Sequence, residues 1–437
     1  MVIDVEGTLR QRHLVVAFHS QIFGEFLMRF VSLLFATAMT LNPLSAVAQT
    51  ANQGGPLIDY GTRFIPEIAA QGMVSGPEKL ASEAGLSMLK QGGNAVDAAV
   101  ATGFALAVTL PRAGNLAGGG FMLVHLAKTD EQVFIDYREM APASASRDMF
   151  LNEDGTVNKQ MAYNSPSAAG IPGTVAGMIH ALENYGTLDL KTVIQPAIAL
   201  AEQGFKVPAA LHLNLRAATQ RLARNEEANR IYLSGTGTAP AMGSLFQQPD
   251  LAATLKRIRD NGTDGFYKGK TAALIVEEMQ RNGGLITRSD LANYRALERQ
   301  PVRSMFRGYE LVSAPPPSSG GIHVSQILTL LEPFPLKQLG HNSAGYLHLL
   351  IEAMKLAYAD RSEYLGDPDR TAIPMTKLTS EAYLSTRRAI IKSDRATPSS
   401  DIRPGTFDDA ESTETTHYSV ADQYGNVVSN TYTINFS

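Results

Sequence analysis

Apolar positions recur every three or four residues across 77–91, where Leu80, Ala84, Met88 and Leu89 fall on one stripe and Gly92-Gly93 follows. That spacing predicts an amphipathic helix with Pro77 in its first turn and the glycines as its stop. The next stretch, NAVDAAVATGFALAVTLP, is apolar nearly all round, which predicts a helix buried on every side until Pro111 ends it. In GNLAGGGFMLVHL, residues 114–126, three consecutive glycines run into a strand-like segment. No helix start with a Lys-Ser/Thr pair follows them, so a tight turn feeding a buried strand is a better account than a phosphate loop. VFIDYREMAP, residues 133–142, reads as the partner strand and delivers Arg138 to its end.

Beyond Ala143 the periodicity is mainly helical. Gly170-Ile171-Pro172-Gly173 interrupts it before TVAGMIHALENYG, and APPPSSGG, 314–321, reads as a rigid turn because apolar periodicity resumes at once. GYLHLLIEAMKLAYADRSEYLGDP predicts a long amphipathic helix closed by Gly366 and Pro368. The pattern is that of a mixed α/β body with no internal boundary, running over 49–414. Residues 392–414 break it: rich in Asp, Ser, Thr and Pro with few apolar anchors, they predict a mobile linker. Strand alternation returns at Thr415 and continues, on both sides of the DQYGN turn, to the end at 437.

Composition narrows the chemistry. The 437 residues are 44% hydrophobic, enough for a large core, and the net charge of −4 offers no basic field for nucleic acid. With no cysteine, disulfides, thiolate metal sites and cysteine nucleophiles are excluded together. None of the nine histidines has the i, i+4 spacing of a helix-borne zinc site; His341 and His348 could share a helix face but have no carboxylates beside them, so no metal is expected.

MRFVSLLFATAMTLNPLSAVAQT has one arginine, a twelve-residue mostly apolar run and Ala46-Val47-Ala48, the layout of a secretory signal over 28–48. The run is shorter than the roughly 20 residues a membrane-spanning helix needs; the alternatives are a buried helix or an uncleaved anchor. Residues 1–27 do not fit that layout and read as an upstream extension, with Met28 as the natural start. The expected location of the mature chain is periplasmic or secreted.

The junction at Thr415-Thr416 admits two readings. A threonine at a strand start is ordinarily present for its β-branch. If the chain is instead cut before Thr415, one residue carries both a hydroxyl nucleophile and a freed α-amine able to act as its base near neutral pH.

TTHYSVADQYGNVVSNTYTIN, with GGNAVDAAVATGFALAVTLPRAGNLAGGGFMLV, DYREMAPASASRDMF, GIPGTVAGM, APPPSSGG and YADRSEYLGDP, resembles the gamma-glutamyltranspeptidases, in matching order from about Gly72 to the last residue. The resemblance implies an α/β N-terminal-nucleophile hydrolase fold, an αββα four-layer sandwich, and a proenzyme that cuts itself into large and small subunits forming a heterodimer. It implies hydrolysis of glutathione and other gamma-glutamyl compounds, or transfer of the gamma-glutamyl group to amino acid or peptide acceptors, without a cofactor. By position, Thr415 matches the nucleophile, with the cut between Glu414 and Thr415. Thr433 matches the threonine that helps activate it. Arg138 matches the arginine holding the α-carboxylate, and Asn435 matches a group holding the α-amine.

The family's small subunit continues well beyond Ser437 and supplies there the oxyanion donors and further substrate ligands, so residues 415–437 match only its beginning. The expectation is an α/β sandwich incomplete at the C-terminus and a chain inactive alone. The alternatives are a non-catalytic fragment, or a related acylase or poly-gamma-glutamate-processing enzyme of the same fold.

Overall fold

The computed structural model describes residues 2–4, 67–404 and 416–434. Its centre is a seven-stranded antiparallel sheet built from β1 (Val2–Asp4), β2 (Gly72–Ser75), β3 (Gly119–Leu126), β4 (Glu131–Asp136), β5 (Leu297–Arg299) and two late strands. A separate hairpin, β6 (Val302–Phe306) and β7 (Tyr309–Ser313), turns through Arg307 and Gly308, both at positive φ as a tight hairpin turn requires. The late strands are β8 (Thr416–Asp422) and β9 (Val427–Thr433). The sheet order is β1-β2-β8-β9-β3-β4-β5, so the last hairpin in the chain occupies the middle of the sheet.

Helix α1 (Lys79–Lys90) begins at Glu78, whose side chain accepts from the Ala81 amide at 3.0 Å; Pro77 therefore precedes the cap and does not occupy the first turn. Helix α2 (Ala95–Thr109) is buried at all fifteen positions, as its all-round apolar pattern predicts. Its start is a capping box in which Asn94 and Asp97 exchange bonds, and the Asp97 carboxylate also accepts from the amides of Thr187 and Leu188. These two helices cover one face of the sheet, against Val74, Met122, Val124, Val420 and Val428. Tyr418 and Tyr432 reach through this layer and donate to Ala99 O and Gly103 O of α2, both at 2.9 Å. On the other face, Phe121, Leu123, Ser429, Thr431 and Ser419 are only half-buried and His417 is exposed.

Helices α3 (Thr174–Tyr185), α4 (Leu190–Gln203) and α5 (Pro249–Asn261) extend the same core. A second apolar cluster forms where α6 (Gly320–Leu331), α7 (Ala344–Tyr364) and α8 (Glu381–Arg388) meet, around Leu330, Leu349, Leu356 and Leu384. Ile391 and Ile402 join it, so nearly the first half of the polar stretch 392–414 lies between two apolar anchors. The remainder, 405–414, lies outside the described residues, as do the signal-like tract 28–48 and most of 1–27. Among the described residues, no helix is long and apolar enough to cross a membrane.

Candidate active site

Strand β3 holds the site together from its glycine end. Thr433 pairs with Gly119 at the end of β9, and on the other side of β3 the pairing continues one residue beyond β4, with Gly120 and Tyr137 exchanging both backbone bonds at 3.0 and 3.3 Å. Arg138 follows Tyr137. A Cβ on Gly119 would lie 2.7 Å from both Tyr137 O and Glu139 N, and one on Gly118 would lie 2.1 Å from Thr433 O. The glycines are thus required by close backbone approach on both sides, a more specific reason than the tight turn expected from the sequence. They set Thr433 and Arg138 about two strand widths apart, roughly 10 Å, across the same end of the sheet.

The Arg138 peptide is gripped at both ends. Its amide donates to Asp136 Oδ1 at 3.0 Å, and its carbonyl accepts from Tyr294 Oη at 2.8 Å. The side chain itself is exposed, with the guanidinium 6.0 Å from the ring centroid of Phe121, which in turn stacks on Phe134 at 5.5 Å. Beside it, burial lowers the Arg361 guanidinium from its usual range, and the positive charge of Arg138 adds to the lowering. The two positive charges repel, and an anionic group between them, such as a ligand carboxylate, would relieve that repulsion.

The buried underside is polar and fixed. Tyr137 Oη donates to Asn430 Oδ1 of β9 at 2.6 Å, tying the segment that carries Arg138 to the strand that carries Thr433. Burial pushes the Tyr137 hydroxyl well up, so it stays a donor. On the half-open face, His417 shares a 2.7 Å hydrogen bond with Thr431 Oγ1 and a 3.1 Å one with Ser419 Oγ, and partial desolvation lowers its pKa.

Of the residues singled out in the sequence, Arg138 and Thr433 come together at this sheet end. Glu414, Thr415 and Asn435 lie outside the described residues. Thr416, which follows Thr415 in the chain, is buried and opposes Tyr432 at the start of β8. Sequence reasoning missed Tyr294 and Arg361. Arg361 lies within YADRSEYLGDP, whereas nothing in the sequence around Tyr294 points to Arg138, 156 positions away.

Comparison with known proteins gives a consistent result. The gamma-glutamyltranspeptidase family profile matches residues 81–437. The chain is 48% identical over 394 residues to the glutathione hydrolase proenzyme of Escherichia coli strain K12, covering 90% of this chain and 68% of that protein. It is 44% identical to the glutathione hydrolase proenzyme of Pseudomonas sp. strain A14, covering 85% of this chain and 64% of that one. The chain thus spans about two thirds of the length of these relatives. Among solved structures, the gamma-glutamyltranspeptidase of Helicobacter pylori superposes with a TM-score of 0.76 at 43% identity, covering 80% of this chain and all of that one.

Proposed function

The chain belongs to the gamma-glutamyltranspeptidase family and has its N-terminal-nucleophile hydrolase fold, and from that premise we propose that it is part of an exported glutathione hydrolase proenzyme that cleaves itself between Glu414 and Thr415. The observation that carries this reading is the sheet register that aligns Thr433, Gly119 and Arg138 at the end where β8 begins.

In the proposed self-cleavage, Thr415 Oγ attacks the Glu414 carbonyl carbon. The peptide C–N bond breaks as the acyl group moves to oxygen, and water opens the ester. That frees the Glu414 carboxylate and the Thr415 α-amine. In turnover the same Oγ attacks the gamma-amide carbon of glutathione while the α-amine takes its proton and returns one to the leaving amine. The resulting threonyl ester is opened by water, or by the amine of an amino acid or peptide acceptor. Arg138 pairs with the α-carboxylate of the gamma-glutamyl group, Asn435 bonds its α-amine, and Thr433 orients the nucleophile. The fragments 49–414 and the one starting at 415 stay together as a heterodimer, because β8 and β9 lie between β2 and β3.

The test is made in the full-length protein. Thr415→Ala is expected to remain one uncut chain without glutathione hydrolysis, whereas Thr416→Ala is still cut, both read by mass spectrometry and glutamate release. Arg138→Lys is expected to raise KM for gamma-glutamyl donors about tenfold or more, since a lysine keeps the charge and loses the two-pronged contact. An active Thr415→Ala enzyme overturns the nucleophile assignment, and unchanged KM in Arg138→Lys returns that residue to solvent.

A further inference from the structure

We propose that Tyr294 is a positioning residue for Arg138: its hydroxyl holds the Arg138 carbonyl, so that the exposed guanidinium starts from a fixed point when it meets the donor carboxylate. This rests on the reading of Arg138 given above.

Arg138 needs such help because its side chain has little of its own. It is exposed, and its ring contact with Phe121 is at the outer limit for a cation over an aromatic face. A long, flexible side chain delivers a two-pronged contact only if its Cα is well placed, and an error of about 1 Å at a binding group can cost up to about a hundredfold.

Tyr294 is suited to supply the fixed point. Its ring is buried and stacks on Tyr267 with centroids 5.7 Å apart and planes within 5°. Tyr267 in turn donates to Pro172 O at 2.8 Å. Gly173 leaves the space this arrangement occupies, for a Cβ there would lie 2.3 Å from Tyr294 Oη and 1.9 Å from Tyr137 O. Burial, and then the neighbouring Tyr267 and Asp136, push the Tyr294 hydroxyl far up, so it remains a donor at any working pH.

The opposite end of the Arg138 peptide is held as firmly. Asp136 takes the Arg138 amide on one oxygen and Arg299 Nε at 2.7 Å on the other, and Arg299 extends to Asp369 at 2.7 Å. The peptide is therefore braced between two independent supports, of which Tyr294 is the one a single-atom change removes.

The bland alternative is that the hydroxyl bonds the nearest carbonyl only because a buried tyrosine needs a partner. Tyr294→Phe in the full-length enzyme separates the two. Positioning predicts a KM raised roughly five- to twentyfold for a gamma-glutamyl anilide, with kcat and Tm nearly unchanged. It also predicts little effect on the α-carboxamide analogue of that donor, and little further effect when added to Arg138→Lys. A lower Tm with unchanged KM, or an equal KM rise for both donors, overturns the inference. If Arg138→Lys alone leaves KM unchanged, the Arg138 reading has failed and the inference falls with it, a result distinguishable from failure of Tyr294→Phe alone.

Discussion

His323 is packed on α6 with its ring 4.9 Å from that of Tyr358, and its Nε2 has no hydrogen-bond partner among the described residues. Burial, and then the charge of Arg361, hold its pKa near 4 against 6.5 for a free imidazole. The sign follows directly: below 6.5 the unfolded chain takes up a proton that the folded one refuses, so this residue favours folding above that pH and loses its contribution as the pH falls towards 4. The loss approaches about 1.4 kcal/mol per pH unit inside that window. His323→Gln is expected to flatten this part of the stability profile, measured as urea midpoints at pH 7.5, 6 and 4.5. Equal slopes in both proteins would refute the assignment. Burial of this kind was not legible beforehand, because a histidine in GGIHVSQIL looks the same on a wet or a dry helix face; Arg138, at a strand end with a charge to offer, was legible.

At the scale of elements, the turn of the last hairpin is locked to the start of α2 by one carboxylate. Asp422, buried at the turn, accepts from Tyr424 N and Asn426 N at 2.9 Å, from Asn426 Nδ2 at 2.7 Å, and from Ala95 N at the helix start at 2.9 Å. The negative charge also meets the positive end of the α2 dipole. Asp422→Asn turns one acceptor into a donor facing N–H groups, so it is expected to cost about 2–3 kcal/mol, read as a shift in the denaturation midpoint with unchanged slope. A shift no larger than that of an exposed Asp→Asn control would refute the lock. The sequence predicted both partners, the DQYGN turn and the start of α2, since turn chemistry and periodicity are local signals. It did not predict their meeting, because a bond spanning 327 positions leaves no local trace. Tyr294 escaped notice for the same reason, whereas the glycine triplet was noticed and given too modest a role.

At the scale of the whole molecule, the core has two apolar clusters, and the polar stretch after α8 is fastened to the second of them by specific polar links. Composition predicts mobility from residue 392, yet α7 and α8 hold the stretch by its backbone. Lys355 Nζ donates to Thr397 O at 2.9 Å, Thr397 N donates to Glu352 at 3.2 Å, His348 contacts Lys392 O at 2.6 Å, and Arg387 donates to Arg403 O at 3.0 Å. Glu352 is 2% exposed. Burial pushes its carboxyl up, but the bonds from Lys355 and Thr397 outweigh that and leave it below the usual range. A depressed carboxyl stabilises at neutral pH and ceases to do so as the pH falls through its folded value. Glu352→Gln keeps the shape but removes the charge that pairs with Lys355, leaving a half-buried ammonium with only carbonyl partners. The variant is therefore expected to release 392–404 without unfolding the sheet: cleavage in this stretch by a nonspecific protease rises several-fold at pH 7.5, while amide exchange in α2 and β9 is unchanged. In the wild type the same cleavage is expected to rise as the pH falls through the depressed range of the Glu352 carboxyl, converging on the variant. Protection of 392–404 that is equal in both proteins, or lost together with protection of β9, would refute a local clamp.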